Sequence, residues 1–274
     1  MRVTHLGHAC LLVELADTRI LVDPGSFSTG FESLRDLDAV VVTHQHADHL
    51  DEERLPDLLA FNRQAPVFAD PDSAELLDGT SSDVVVLADG EEHRIGAATI
   101  RAVGKLHAVN HDAVPRCTNV GVVLQADGEP TLYHPGDAYD GEPGDVDVLA
   151  VPLNAPWARV AETIAFVRRV APRQIVPIHD ALLSESGLSS SSGEQVPLLI
   201  VFQSILLIQS GSADTALRQP GGPCFCAGSS QGVGASCART LVPPALLRIS
   251  TTFCSSSRRK TQPKMANAPI ARIL

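Results

Sequence analysis

Short apolar blocks recur through the first part of the chain, most of them too short for helices. Residues 3–5, 9–15 and 19–22 predict three strands joined by tight turns. Residues 39–43, 84–87, 92–95, 98–103, 120–125, 131–134, 146–151 and 174–178 continue the series. Three segments have a longer period. Residues 56–61 and 72–77 predict short helices, the second capped by Asp72 or Ser73. Residues 157–170 set Val160, Ile164, Val167 and Val170 at helical spacing. Many strands with few helices predict a layered α/β domain, its helices packed outside two sheets.

After residue 187 this pattern fails. Residues 1–187 carry 30 Asp+Glu against 13 Lys+Arg, a net of −17, whereas residues 188–274 carry 2 against 8, a net of +6. All ten histidines precede the break, and Cys224, Cys226, Cys237 and Cys254 follow it. Residues 196–209 are apolar but fall short of the ~20 residues a membrane helix needs, and predict a strand or helix docked on the domain. Residues 210–274, rich in Ser, Gly and Pro, predict a mostly irregular tail. The division is therefore a domain over 1–187 and a tail over 188–274. A change of reading frame and a lineage-specific extension both account for so abrupt a shift.

Composition narrows the function. Hydrophobic residues make up 44% and aromatics 4%, so the core is aliphatic. A net charge of −11 argues against a nucleic-acid groove. The opening MRVTHLGHACLLVEL lacks the layout of a secretory signal, and no apolar run spans a membrane, which together predict a cytoplasmic protein.

The chemistry concentrates in VVVTHQHADHLD, residues 40–51. His44, His46, Asp48 and His49 follow a valine-rich strand at its C-terminal end, where open α/β sheets place ligands. Imidazoles with a carboxylate suit a divalent transition metal. Three further strands end in the same residue types, at His107, at His134 with Asp137, and at His179. Four such ends can converge at one edge of two stacked sheets.

In these residues the chain resembles the metallo-β-lactamase superfamily. His44, His46, Asp48 and His49 reproduce its His-x-His-x-Asp-His hallmark, and His107, Asp137 and His179 match its later ligands. Leu6-Gly7-His8-Ala9 and Leu21-Val22-Asp23-Pro24 resemble its ascorbate-6-phosphate-lactonase-like branch. The resemblance implies a four-layer αββα sandwich holding two divalent metal ions, Zn foremost, with Mn and Fe open. His44, His46 and His107 would bind one ion, and Asp48, His49 and His179 the other. Asp137 would bridge them, making Asp48 and Asp137 the carboxylates of the catalytic centre. Two cations ~3.5–4 Å apart can hold a shared water as hydroxide against a carbonyl or phosphorus. The implied substrate is a small, anionic ester, lactone or phosphoester. The competing reading is a metal-binding, non-catalytic protein with an interaction tail.

Neighbouring residues leave alternatives. Asp23 either orients a ligand histidine from behind or closes the Asp-Pro-Gly turn. His8 faces metal or substrate, or fills the core. His111 contacts an anionic substrate or only its own loop, and His134 supports the site or the core. His93 reads as a solvated hairpin residue and Cys10 as core. Arg116, Tyr139, Asn154 and Trp157 lie in loops that predict the pocket mouth.

Overall fold

Two stacked sheets follow from strands whose alternate side chains join different apolar layers. The computed structural model describes residues 1–79 and 83–183, together with the backbone of Arg248–Thr251. The first sheet contains β1 (Arg2–His5), β2 (Leu11–Leu15), β3 (Thr18–Val22), β4 (Ala39–Val42), β5 (Val67–Ala69) and β6 (Val84–Val86) side by side in that order. The second contains β7 (Glu92–Ile95), β8 (Ala98–Val103), β9 (Gly121–Ala126), β10 (Leu132–His134), β11 (Val148–Pro152) and β12 (Gln174–Ile178), also in chain order. Strands β3 to β6 run parallel, as do β10 to β12, so several strand ends share one edge.

β4 shows how the layers arise. Ala39 and Val41 enter the core between the sheets, while Val40 and Val42 point to the outer face. That face is covered by α1 (Leu55–Phe61), through Leu55, Leu58 and Leu59. In the second sheet Val148 and Ala150 meet the inter-sheet core, whereas Leu149 and Val151 pack under α3 (Val160–Val170). The layers are helix, sheet, sheet, helix, as the resemblance implied.

Three local readings need correction. β5 is absent from the sequence reading, because three residues between Pro66 and Asp70 show no period. α2 (Pro71–Leu76) is capped by Asp70, whose side chain accepts from the Asp72 amide, not by Asp72 or Ser73. α3 starts at Val160 rather than Trp157, and its buried face is Thr163, Phe166 and Val167; Val160 is exposed. The larger Phe166 is buried there, and Ile164 is only half-buried.

Within the segment read as an irregular tail, Arg248–Thr251 forms β13, parallel to β1 at the edge of the first sheet. The remaining readings for 184–247 and 252–274 lie outside the described residues. Among the described residues no helix is long and apolar enough to cross a membrane.

We propose that residues 1–187 fold as a unit. A chain ended after Gly187 leaves the backbone groups of β1 to water, a modest loss at an edge. It should retain a cooperative thermal transition and take up metal. An unfolded product in circular dichroism would make β13 integral to the fold.

Candidate metal centre

The centre is assembled from six turns at the shared sheet edge. Asp23 follows β3 and is fully buried. Its carboxylate accepts from the Thr43 amide (2.8 Å), from Thr43 Oγ1 (2.8 Å) and from His49 Nδ1 (2.6 Å). Asp23 thus orients a histidine from behind, and with φ 50° it also makes the turn. The loops after β3 and β4 are joined through Ser26 N to Ala47 O and Asp51 N to Pro24 O. Gly25 lies so close that a Cβ there would overlap the Asp48 carbonyl.

The His49 bond to Asp23 leaves Nε2 facing inward, 2.9 Å from His179 Nε2 and 3.2 Å from Asp137 Oδ1. His107, after β8, donates from Nδ1 to the Ala108 carbonyl at 2.7 Å and likewise turns Nε2 inward. His44 Nε2 faces His46 Nδ1 at 3.0 Å. Asp137 lies between the histidines. Its Oδ1 is 2.7 Å from His179 Nε2, and its Oδ2 is 3.3 Å from His107 Nε2 and 4.0 Å from His44 Nε2. The turn carrying it is set by Asn119, whose Oδ1 accepts from the Asp137 amide at 2.9 Å.

Two groups of donor atoms result, His44, His46, His107 and Asp137 in one, and His8, Asp48, His49 and His179 in the other; within each, all lie within 4.8 Å of one another. The seven ligands read from the sequence are thus brought together, and His8 joins them. Imidazole nitrogens facing each other at about 3 Å share a proton or a cation between them. His107 Nε2 and Asp137 Oδ1 are buried without an aligned hydrogen-bond partner. Orphan donor atoms pointing at a common centre fit metal ions.

Electrostatics treats the two groups differently. Burial pushes His44 well below the usual imidazole range, with His49 adding to the effect, so it is neutral. Burial also disfavours charge on His49, but Asp137 and Asp23 outweigh it and hold the ring protonated. Burial would raise Asp48, yet the His8 hydrogen bond and the charge of His49 bring it to about 2. The same balance, with His49 and His179 prevailing, keeps Asp137 well below the carboxylate range.

The other readings divide. His8 Nε2 meets Asp48 Oδ2 at 3.0 Å. His134 donates from Nε2 to the Ala9 carbonyl and accepts from the Gly136 amide at Nδ1, which lies 3.7 Å from Asp23 Oδ2, so it braces the centre from behind. His111 is exposed and accepts from Ala113 N within its own loop. His93 is half-buried on its hairpin, with its ring packed on Phe68 at 5.2 Å. Cys10 is in the core. Arg116, Tyr139 and Trp157 line a groove beside the centre, and Asn154 does not. Thr43, Asn119 and Cys117 were missed, since their roles come from contacts between distant turns. Cys117 Sγ lies 3.8 Å from His46 Nε2, the nitrogen turned away from His44, and burial pushes its thiol up to about 11.

A sequence model described as "Beta-lactamase superfamily domain" matches residues 2–179. The chain belongs to the metallo-β-lactamase superfamily. Protein Rv0786c of Mycobacterium tuberculosis is 44% identical over 185 residues, covering 67% of this chain and 86% of that one. A "UPF0173 metal-dependent hydrolase" of Methanosphaerula palustris is 29% identical over 192 residues, covering 65% and 83%. Among solved structures, Igni18, a metallo hydrolase from Ignicoccus hospitalis, aligns with TM-score 0.53 at 20% identity over 65% of this chain and 81% of its own. CmlA, a diiron β-hydroxylase from Streptomyces venezuelae, aligns with TM-score 0.54 at 19% identity over 77% and 51%. At such identities these structures establish the superfamily fold and no more.

Two outcomes follow. Asp23→Ala frees the His49 ring and should weaken metal binding roughly 10–100-fold in a chelator competition; unchanged affinity would leave Asp23 a turn residue only. Metal entering the His49 group must expel a proton, because the raised pKa keeps that ring charged at neutral pH. His44 is already neutral and expels none. Affinity of the His49 group should therefore rise with pH through neutrality. Calorimetry at pH 7 in buffers of different ionisation heat should show the release in one binding phase, and its absence would contradict the assignment.

Proposed function

We propose that this chain is a metal-dependent hydrolase of a small ester, lactone or phosphoester, with two divalent ions held by the seven ligands. The observation that carries it is the position of Asp137, one oxygen directed at each group of histidines. When bound, a pair of divalent ions would supply a water acidified towards neutrality as nucleophile and positive charge against the developing oxyanion. The donors, imidazole and carboxylate, suit Zn, with Mn and Fe as alternatives.

The chain's residues do the rest. Asp23 and the Ala108 carbonyl fix the ring orientations of His49 and His107, so neither must reorganise during a turnover. Asp48 is too acidic to serve as a proton donor at neutral pH; its place is to hold charge beside His8. Both segments that resemble the lactonase-like branch deliver such residues, His8 in one and Asp23 in the other. Among the described residues Cys10 and Cys117 are unpaired, which supports a cytoplasmic setting, and an anionic substrate suits a centre that binds cations.

Asp48→Ala should lose the metal of its group and hydrolysis of a lactone and phosphodiester panel by at least ~100-fold, with its thermal transition retained. His93→Ala should keep full metal content. For the unaltered enzyme, kcat should rise with pH around a midpoint of about 7, since the nucleophile is the deprotonated form. Full metal content without turnover of any substrate in the panel would sink the hydrolase reading.

A further inference from the structure

A groove of about 770 Å3 runs beside the metal centre, a size that suits a small organic ligand. Its inner wall is aromatic. Tyr139 lies edge-on to Trp157 at 4.8 Å and stacks on Phe166 at 4.8 Å. The polar ends of two of these rings are already committed: Trp157 Nε1 donates to Asp137 Oδ2 at 2.9 Å, and Tyr139 Oη to the Pro152 carbonyl at 2.6 Å. What remains for a ligand is the half-buried ring of Tyr139 and the edge of Trp157, since Phe166 is packed in the core behind them. The facing loop adds Val109, and Leu106 and Val114 of the same loop expose 42% and 51% of their surface. Exposed apolar residues gathered at a site mouth mark a contact surface.

The groove contains three guanidinium groups. Arg159 is paired with Glu162, and Arg169 with Glu142 at 3.5 Å. Arg116 is held by the carbonyls of His107 and Leu106 and has no carboxylate partner among the described residues. It is exposed, and it also borders the small cleft beside His46 and His107. One uncompensated cation therefore lies between the metal ligands and the aromatic wall, on a domain whose residues 1–187 carry a net of −17. A guanidinium so placed matches a planar carboxylate.

We propose that the substrate is a carboxylate-bearing ester or lactone with an aryl or branched alkyl group, its carboxylate held by Arg116 and its apolar group held between Tyr139, the edge of Trp157 and Val109 of the facing loop. This rests on the hydrolase reading and names the substrate class of that site. In the reaction the acyl C–O bond breaks, the water oxygen joins the acyl carbon, and its proton ends on the leaving oxygen. The bound apolar group directs the ester carbonyl toward the centre, so remote binding contributes to kcat/KM.

Three related esters test this on the metal-loaded full chain. Monobenzyl succinate has both features, benzyl methyl succinate lacks the charge, and monomethyl succinate lacks the ring. The first should exceed each of the others about tenfold in kcat/KM. Arg116→Gln should bring the anionic-to-neutral ratio close to one, and Arg116→Lys should restore part of it. Arg94→Gln, on the β7 hairpin, should leave the ratio unchanged. Because Arg116 also braces the His107 loop, metal content is measured alongside; a purely structural role would lower metal and leave the ratio intact. Calorimetric binding of 3-phenylpropionate against 3-phenylpropan-1-ol gives a reading independent of catalysis. Tighter binding of the acid that Arg116→Gln removes, without turnover of any ester, would support the groove and sink the hydrolase reading. Turnover with equal rates for charged and neutral esters would keep the hydrolase and overturn the groove.

Discussion

The buried carboxylate of Asp23 receives three hydrogen bonds, and the arrangement of the centre depends on them. Two come from Thr43 and fix the chain as it leaves β4; the third comes from His49 and fixes the ring six residues later. A buried carboxylate without such partners would carry a desolvation cost of several kcal/mol. Here each bond that compensates the charge also positions part of the site. Support and function cannot be separated at this residue.

The backbone bears a cost as well. His8, Asp23 and His179 have φ of 53°, 50° and 63°, a region that costs non-glycine residues of order 1–3 kcal/mol each. The surrounding bonds hold them there. His179 N donates to the His8 carbonyl and Asp180 Oδ1 accepts from the His8 amide, so the β1–β2 turn and the end of β12 constrain one another across the two sheets. Each residue turns a side chain back over its own strand end, which is how strands from different sheets deliver groups to one point.

What could be read in the sequence was what is local. The valine run of β4 and the His-rich stretch behind it show their roles through spacing alone, and the layered architecture follows from many short strands. Contacts between distant segments left no such trace. His8 meets Asp48 across 40 residues, and Trp157 meets Asp137 across 20. β5 was too short to show a period, and the face of α3 was misread because Phe166 is buried beneath it and Ile164 only half-buried. His93 looked solvated among charged neighbours, but the sheet stacking carries it onto Phe68.

Trp157 is the chain's only tryptophan, and its indole N–H is bonded to the carboxylate between the two histidine groups. The ring's edge belongs to the groove and one hydrogen bond to the centre. Indole emission from this protein therefore arises at the junction of the two, and changes in either environment pass through a single chromophore. The molecule carries its own optical probe, with no background from other tryptophans to subtract.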